Sequence, residues 1–256
     1  MESMRIKVSL NGRGLIPFNY NLALAGAVYG PIKRVDIDLA SKIHSSTGYK
    51  YFTFSLLQIP ERKVSQQGIY VVDGCSFLVS SPLREIVTCF VEGILENPEV
   101  RIGRVHFDVE SVEVLKMPEF NGNVTFSTVS PIIVRTAQKE NGKLRIIDLY
   151  PTDVKFYENL KNNLLKKYKI LYNEERDDIT FSKPFSTKFK RVQIKDTYHR
   201  ASLMKFCVYG DTNLLKLGYE TGFGEKNSMG FGMVEMVREL KKRRSDLHED
   251  NSSNPA

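Results

Sequence analysis

The first regular pattern in the chain is an alternation. Met4, Ile6, Val8 and Leu10 are separated by Arg5, Lys7 and Ser9, the period-two signature of a strand with one buried face. Helical spacing follows: Leu22, Ala25, Tyr29 and Ile32 recur on one face, and a short second helix is expected from Asp36 to His44. Residues 51 to 59, rich in aromatics, read as a strand, and residues 76 to 80 as the end of another. Ser81-Pro82 is a helix start, with Ser as cap and Pro at the first helical position, followed by the apolar face Leu83, Ile86, Val87, Phe90, Val91 and Ile94. Within a strand at 105 to 115, Phe107 and Val109 fall out of phase with Val112 and Val114, which predicts a bulge.

The order of these elements is β-α-β-β-α-β, and the second half of the chain repeats it. A strand is expected at 123 to 135, running into an extra hairpin at 143 to 149. A helix opened by Thr152 carries Tyr157, Leu160, Leu164 and Tyr168. Residues 187 to 195 and 198 to 209 read as an antiparallel pair turned at Asp196. Asp211 is placed to cap a helix through Leu217, and a strand at 231 to 237 closes the set. The fold class is therefore α+β: two tandem ferredoxin-like modules with antiparallel sheets, at 1–119 and 120–240, meeting near the turn between Pro118 and Asn123. The polar run at 241–256 is expected to be a disordered tail.

Composition narrows the function classes. Hydrophobic residues at 41% and charged residues at 26% describe an ordinary globular body. Three separated cysteines form neither a disulfide framework nor a zinc site, so no metal is expected. With no apolar leader and no membrane-length apolar run, a cytoplasmic location is expected. The net charge of +7 is concentrated: residues 183 to 205 hold seven Lys or Arg against Asp196 alone. Lys188, Lys190, Arg191, Lys195 and Arg200, interleaved with Phe189 and Tyr198, set cations beside aromatic rings, which suits a polyanion such as nucleic acid; a solvated strand face is the other reading. Because Lys190 and Arg191 are adjacent, either both faces of this hairpin carry charge or a bulge brings the charges together.

Near the end, "GYETGFGEKNSMGFG" places five of the 17 glycines within residues 218 to 232. Its spacing matches neither a dinucleotide fingerprint nor a phosphate-binding loop ending in Gly-Lys-Ser/Thr, so a nucleotide cofactor is disfavoured. The run from Gly222 to Met233, "GFGEKNSMGFGM", at the end of a second ferredoxin-like module, resembles the signature loop of the CRISPR-associated endoribonucleases that process repeat RNA. "MRIKVSL", "NPEVRIGRVHF" and "FNGNVTFSTVSPIIV" resemble members of the same family, so the similarity extends from residue 4 to about 237.

That resemblance implies cleavage of precursor RNA without metal or other cofactor. The partner would be single-stranded or weakly structured repeat RNA, with other CRISPR effector subunits as further partners. It also implies catalytic residues in the first module, and the slots are filled by Tyr29, His44 and Lys50. On the residues alone, Tyr29 is equally a core tyrosine, His44 a helix-terminal histidine and Lys50 a solvated charge; Lys33, Arg34 and Lys42 are nearby cations. The loop glycines Gly222, Gly224, Gly230 and Gly232 are expected to pack between the modules, with Lys226 and Asn227 as RNA contacts, and His199 is a further candidate contact in the hairpin. Imidazole can move protons near neutrality, and a helix C-terminus favours its charged form. A chain that keeps the RNA-binding features but does not cut is the alternative.

Overall fold

The computed structural model describes residues 4–45, 48–140 and 142–237; the expected tail at 241–256 lies outside the described residues. In chain order the first half contains β1 (Met4–Asn11), β2 (Gly14–Ile16), α1 (Asn21–Val35), α2 (Ile37–Ser45), β3 (Thr53–Phe54), β4 (Arg62–Ser65), β5 (Gly68–Val71), β6 (Cys75–Ser81), α3 (Arg84–Glu96), β7 (Glu99–Ile102) and β8 (Val105–Leu115). The second contains β9 (Asn123–Thr128), β10 (Arg135–Glu140), β11 (Lys143–Asp148), α4 (Val154–Tyr172), β12 (Ile179–Phe181), β13 (Ser186–Ile194), β14 (Thr197–Gly210), α5 (Thr212–Thr221), a single 3₁₀ turn at Asn227–Met229 and β15 (Val234–Met236).

Each half builds its own antiparallel sheet. The first runs β3-β6-β1-β8-β7; the second runs β12-β14-β9-β15, with β13 also pairing with β14. In both, the first and third strands of the motif lie side by side at the centre, the order of a ferredoxin-like sheet. Strand β1 sits between β6 and β8 because Ile6, Val8 and Leu10 are all at most 1% exposed and pack with Phe77, Val79 and Phe107. The expected bulge is present: Ser9 faces Ser111 but Leu10 faces Val109, which leaves Glu110 as the extra residue. The second core gathers Phe126, Phe206 and Phe223 from the sheet and loop with Phe156, Leu160 and Leu164 of α4.

Several local expectations shift. The strand expected at 51 to 59 shrinks to Thr53–Phe54 plus an isolated bridge from Gln58 to Ser76. Helix α3 begins at Arg84, two residues past Pro82; Ser81 instead accepts from the Leu83 N–H and donates to the Tyr51 carbonyl. Asp211 does cap α5, accepting from the Asn213 and Leu214 N–H groups, but the helix runs on to Thr221. A further small sheet, β2-β5-β4, has no counterpart in the sequence pattern.

Arg5 is the main departure within β1. Period two assigns it to the polar face, yet it is 1% exposed. Its guanidinium donates to the Val234 carbonyl at 2.8 Å and to the Tyr219 carbonyl, and lies 3.4 Å above the Tyr219 ring. The outer face of the first sheet thus meets the second half of the chain, and the arginine is the connector. Burial lowers its pKa to about 10. Among the described residues no helix is long and apolar enough to cross a membrane.

Candidate active site and nucleic-acid interface

Helix α1 has the period expected of it but a rotated phase. Leu24, Ala25, Val28 and Ile32 enter the core, whereas Leu22 is 50% exposed. Leu22, Gly26 and Tyr29 therefore border a cleft of about 630 Å³, closed on the other sides by Ser41 and His44 of α2, by Lys50 and by Met229 of the glycine-rich loop. A one-position turn of the helix moves Tyr29 from the core to a wall.

The three residues expected in the first half meet in this cleft. The Tyr29 and His44 rings stand edge to face with centroids 6.3 Å apart, and Phe52 braces Tyr29 from behind at 5.4 Å. Lys50 Nζ lies 5.8 Å from the Tyr29 ring centroid and donates to the His44 carbonyl at 3.4 Å. Burial raises the Tyr29 pKa, with a hydrogen bond from Ser228 acting in the opposite direction, so the phenol is neutral and able to donate near neutrality. Partial burial lowers the Lys50 pKa. The His44 side chain is exposed to the cleft. Of the nearby cations, Lys33 lines the cleft, whereas Arg34 donates to the Gly93 carbonyl of α3.

The glycine-rich loop forms the far wall and packs between the halves. Gly222, Gly224, Gly230 and Gly232 all have φ between +73° and +80°. At Gly232 a Cβ would stand 1.9 Å from the Phe223 carbonyl oxygen, and at Gly230 it would stand 2.4 Å from the Phe54 ring of β3. The missing side chains thus admit the loop's own backbone and the first half, and the Phe231 carbonyl accepts from Thr53. Asn227, expected to touch RNA, has both ends of its amide engaged within the protein: Nδ2 donates to the Phe223 and Phe231 carbonyls of the loop, and Oδ1 accepts from Lys167 of α4. Lys226, in the left-handed region at φ 58°, lines a separate groove beside the cleft, its pKa lowered by burial and by Arg135.

Lys167 was missed. It is 2% exposed on α4, and its Nζ donates to the Gly222 carbonyl at 2.8 Å, the Gly224 carbonyl at 3.3 Å and Asn227 Oδ1 at 2.7 Å. Burial lowers its pKa to about 7, opposed by the charge of Glu225. The signal was its place: after Leu160 and Leu164, position 167 continues the apolar stripe of α4, where a lysine needs a partner.

The basic hairpin β13–β14 pairs in one unbroken register from Ser186 opposite Lys205 to Ile194 opposite Thr197, so both faces carry charge and no bulge is needed. One face carries Arg191 stacked on Tyr198 at 3.9 Å, and Phe189 against Tyr150 at 4.7 Å with Arg200 5.5 Å from that tyrosine ring. On the other, Val192 and Ile194 pack with Met229 around Phe231, joining the hairpin to the loop, while Lys188 and Lys190 of the same face stay exposed. Lys195 is exposed at the turn, with φ 53°. His199 is different: it is 6% exposed and bonded to Asp148 at 3.2 Å beneath the hairpin, which withdraws it from solvent.

Two ferredoxin-like halves clasping a glycine-rich loop define the class: a tandem ferredoxin-like α+β protein. Comparison with known proteins is more specific. The family models "CRISPR-associated protein Cas6, N-terminal" and "CRISPR associated protein Cas6, C-terminal" match residues 15–113 and 115–236. The chain is 43% identical over 251 residues to the CRISPR-associated endoribonuclease Cas6 1 of Methanocaldococcus jannaschii, covering 96% of this chain and 98% of that one. It superposes on a structure described as a Cas6-related gene from Pyrococcus furiosus with TM-score 0.85 at 37% identity, covering 93% and 100% of the two chains. A structure titled "An RAMP protein binding different RNA substrates" matches with TM-score 0.84 at 33% identity over 92% and 100%. The chain belongs to the Cas6 family.

Proposed function

We propose that the chain is an endoribonuclease that cuts CRISPR precursor RNA within its repeats without metal, leaving a 2′,3′-cyclic phosphate and a 5′-hydroxyl. The observation that carries this reading is the convergence of Tyr29, His44 and Lys50 on one cleft. Relatives named as Cas6 endoribonucleases, at 43% and 38% identity, support RNA cleavage as the activity.

In this reading the 2′-oxygen attacks the adjacent phosphorus as its proton leaves, the P–O5′ bond breaks, and the departing 5′-oxygen takes up a proton. His44, facing the cleft, exchanges a proton with one of these oxygens. The Lys50 ammonium offsets the negative charge that grows on the non-bridging oxygens, in a half-buried position where such charge compensation is strengthened. The neutral Tyr29 phenol orients the phosphate by hydrogen bonding. Arg191, Arg200, Lys188, Lys190 and Lys195 hold the flanking strand, with Phe189 and Tyr198 as stacking surfaces.

Labelled repeat RNA incubated with the protein in EDTA tests the proposal. Cleavage at one site, abolished by a 2′-deoxy nucleotide there, is expected; persistence of cutting on the 2′-deoxy substrate would overturn the mechanism. The second reading, a repeat-RNA-binding subunit without catalysis, is favoured by the exposed basic and aromatic hairpin, which serves binding alone. Tight binding without cleavage in the same assay would select it.

A further inference from the structure

A second groove of about 700 Å³ opens from the cleft and shares Lys50 and Met229 with it as common walls. Its sides are the segment 48–52, helix α4 and the glycine-rich loop. Tyr51 is locked in place: its backbone takes φ 51°, its hydroxyl donates to the Lys167 carbonyl at 3.2 Å, and its carbonyl accepts from Ser81 at 2.7 Å. That anchor holds the half-buried Tyr49 ring on the groove wall, 6.1 Å from the Tyr51 ring. On α4, the side-chain oxygen of Asn163 is buried and lacks a hydrogen-bond partner among the described residues. Asn163 lines both this groove and its continuation of about 280 Å³.

An amide oxygen without a donor is costly to bury, and a turn of the half-buried Asn163 side chain that brings this covered oxygen to a ligand N–H in the groove recovers that cost. A half-buried phenol ring beside it offers a flat apolar face. Lys226 and Lys50 add positive charge along the groove, and its carboxylate, Glu225, is already engaged by Arg135 at 2.7 Å. A planar ring with an N–H edge and an attached anion is the chemistry of a nucleotide.

We propose that this groove is a nucleotide subsite, which takes one nucleotide next to the scissile phosphate. Tyr49 stacks on its base, Asn163 accepts an N–H from its edge and Lys226 faces its phosphate. The inference rests on the endoribonuclease reading and deepens it by naming residues that read the RNA beside the cut.

The test uses the full chain and uncleavable repeat RNA carrying a 2′-deoxy nucleotide at the cut. Each position near the cut is replaced in turn by a base whose pairing edge has no N–H, purine riboside at purines and 2-pyrimidinone riboside at pyrimidines. Wild type is expected to lose about fivefold in affinity at one position adjoining the cut, and Asn163→Ala is expected to lose nothing further there. Tyr49→Ala is expected to weaken binding about tenfold and Tyr49→Phe hardly at all. A wild-type scan with no such position overturns the subsite even if a variant fails to fold, as does a full-affinity Tyr49→Ala. Wild type that neither binds nor cuts unmodified repeat RNA would instead defeat the underlying reading, so the two failures are distinct.

Discussion

Lys167→Met exchanges a buried amine for an apolar side chain of similar length, and its effect on stability must depend on pH. Burial holds the Lys167 pKa at about 7, against an ordinary 10.5. Between those values the unfolded chain keeps a proton that the folded chain has released. Wild-type stability therefore rises with pH across that window and is level below it. Methionine does not titrate, and all other groups cancel in the difference between the two proteins. At about 1.4 kcal/mol per pH unit, the difference moves in favour of wild type by about 3 kcal/mol between pH 6 and pH 9, nearly all of it above pH 7. Denaturant unfolding of both proteins at pH 6, 7, 8 and 9 measures it. A flat difference through pH 9 would refute the reasoning: the Gly222, Gly224 and Asn227 acceptors and the charge of Glu225 would then be holding the ammonium at its ordinary strength.

Other perturbations probe the same joints. Arg5→Ala removes the guanidinium's hydrogen bonds to the buried Val234 and Tyr219 carbonyls and empties the space over the Tyr219 ring; it should cost about 3 kcal/mol or more, read as a lower melting temperature. Gly232→Ala drives a Cβ into the Phe223 carbonyl at φ 79°, so a loss of about 2 kcal/mol or more and slower RNA cleavage are expected, and an unchanged melting curve would contradict the packing role. Arg191→Ala should weaken RNA binding alike for all sequences and reduce the slope of log K against log salt by about 0.7, the value for one phosphate contact on a single strand.

Legibility of the fold followed the range of the interactions. The alternation in β1, the displaced phase that marks Glu110, and the Asp211 cap depend on neighbours along the chain or on one adjacent strand, and they stand where the pattern puts them. Arg5 and Lys167 occupy positions whose environment comes from the other half or from the glycine-rich loop, so local period misassigned the first and overlooked the second. Tyr29 shows how a small error matters: helical spacing identified the face to within one position, but that position separates core from cleft wall. His44 and Lys50 have no local signature, and only resemblance to a family singled them out. Tyr49 and Asn163 become visible once the fold brings the segment 48–52 beside α4.

Single-turnover cleavage of repeat RNA by wild type and His44→Ala, with RNA affinity measured alongside, is the most direct test of the cleft. The expected result is a rate lower by about 10²- to 10⁴-fold at unchanged affinity, the contribution of one positioned proton-transfer group. A variant that cuts at the wild-type rate would contradict the assignment of His44 and, with it, the cleft as the place where the RNA is broken.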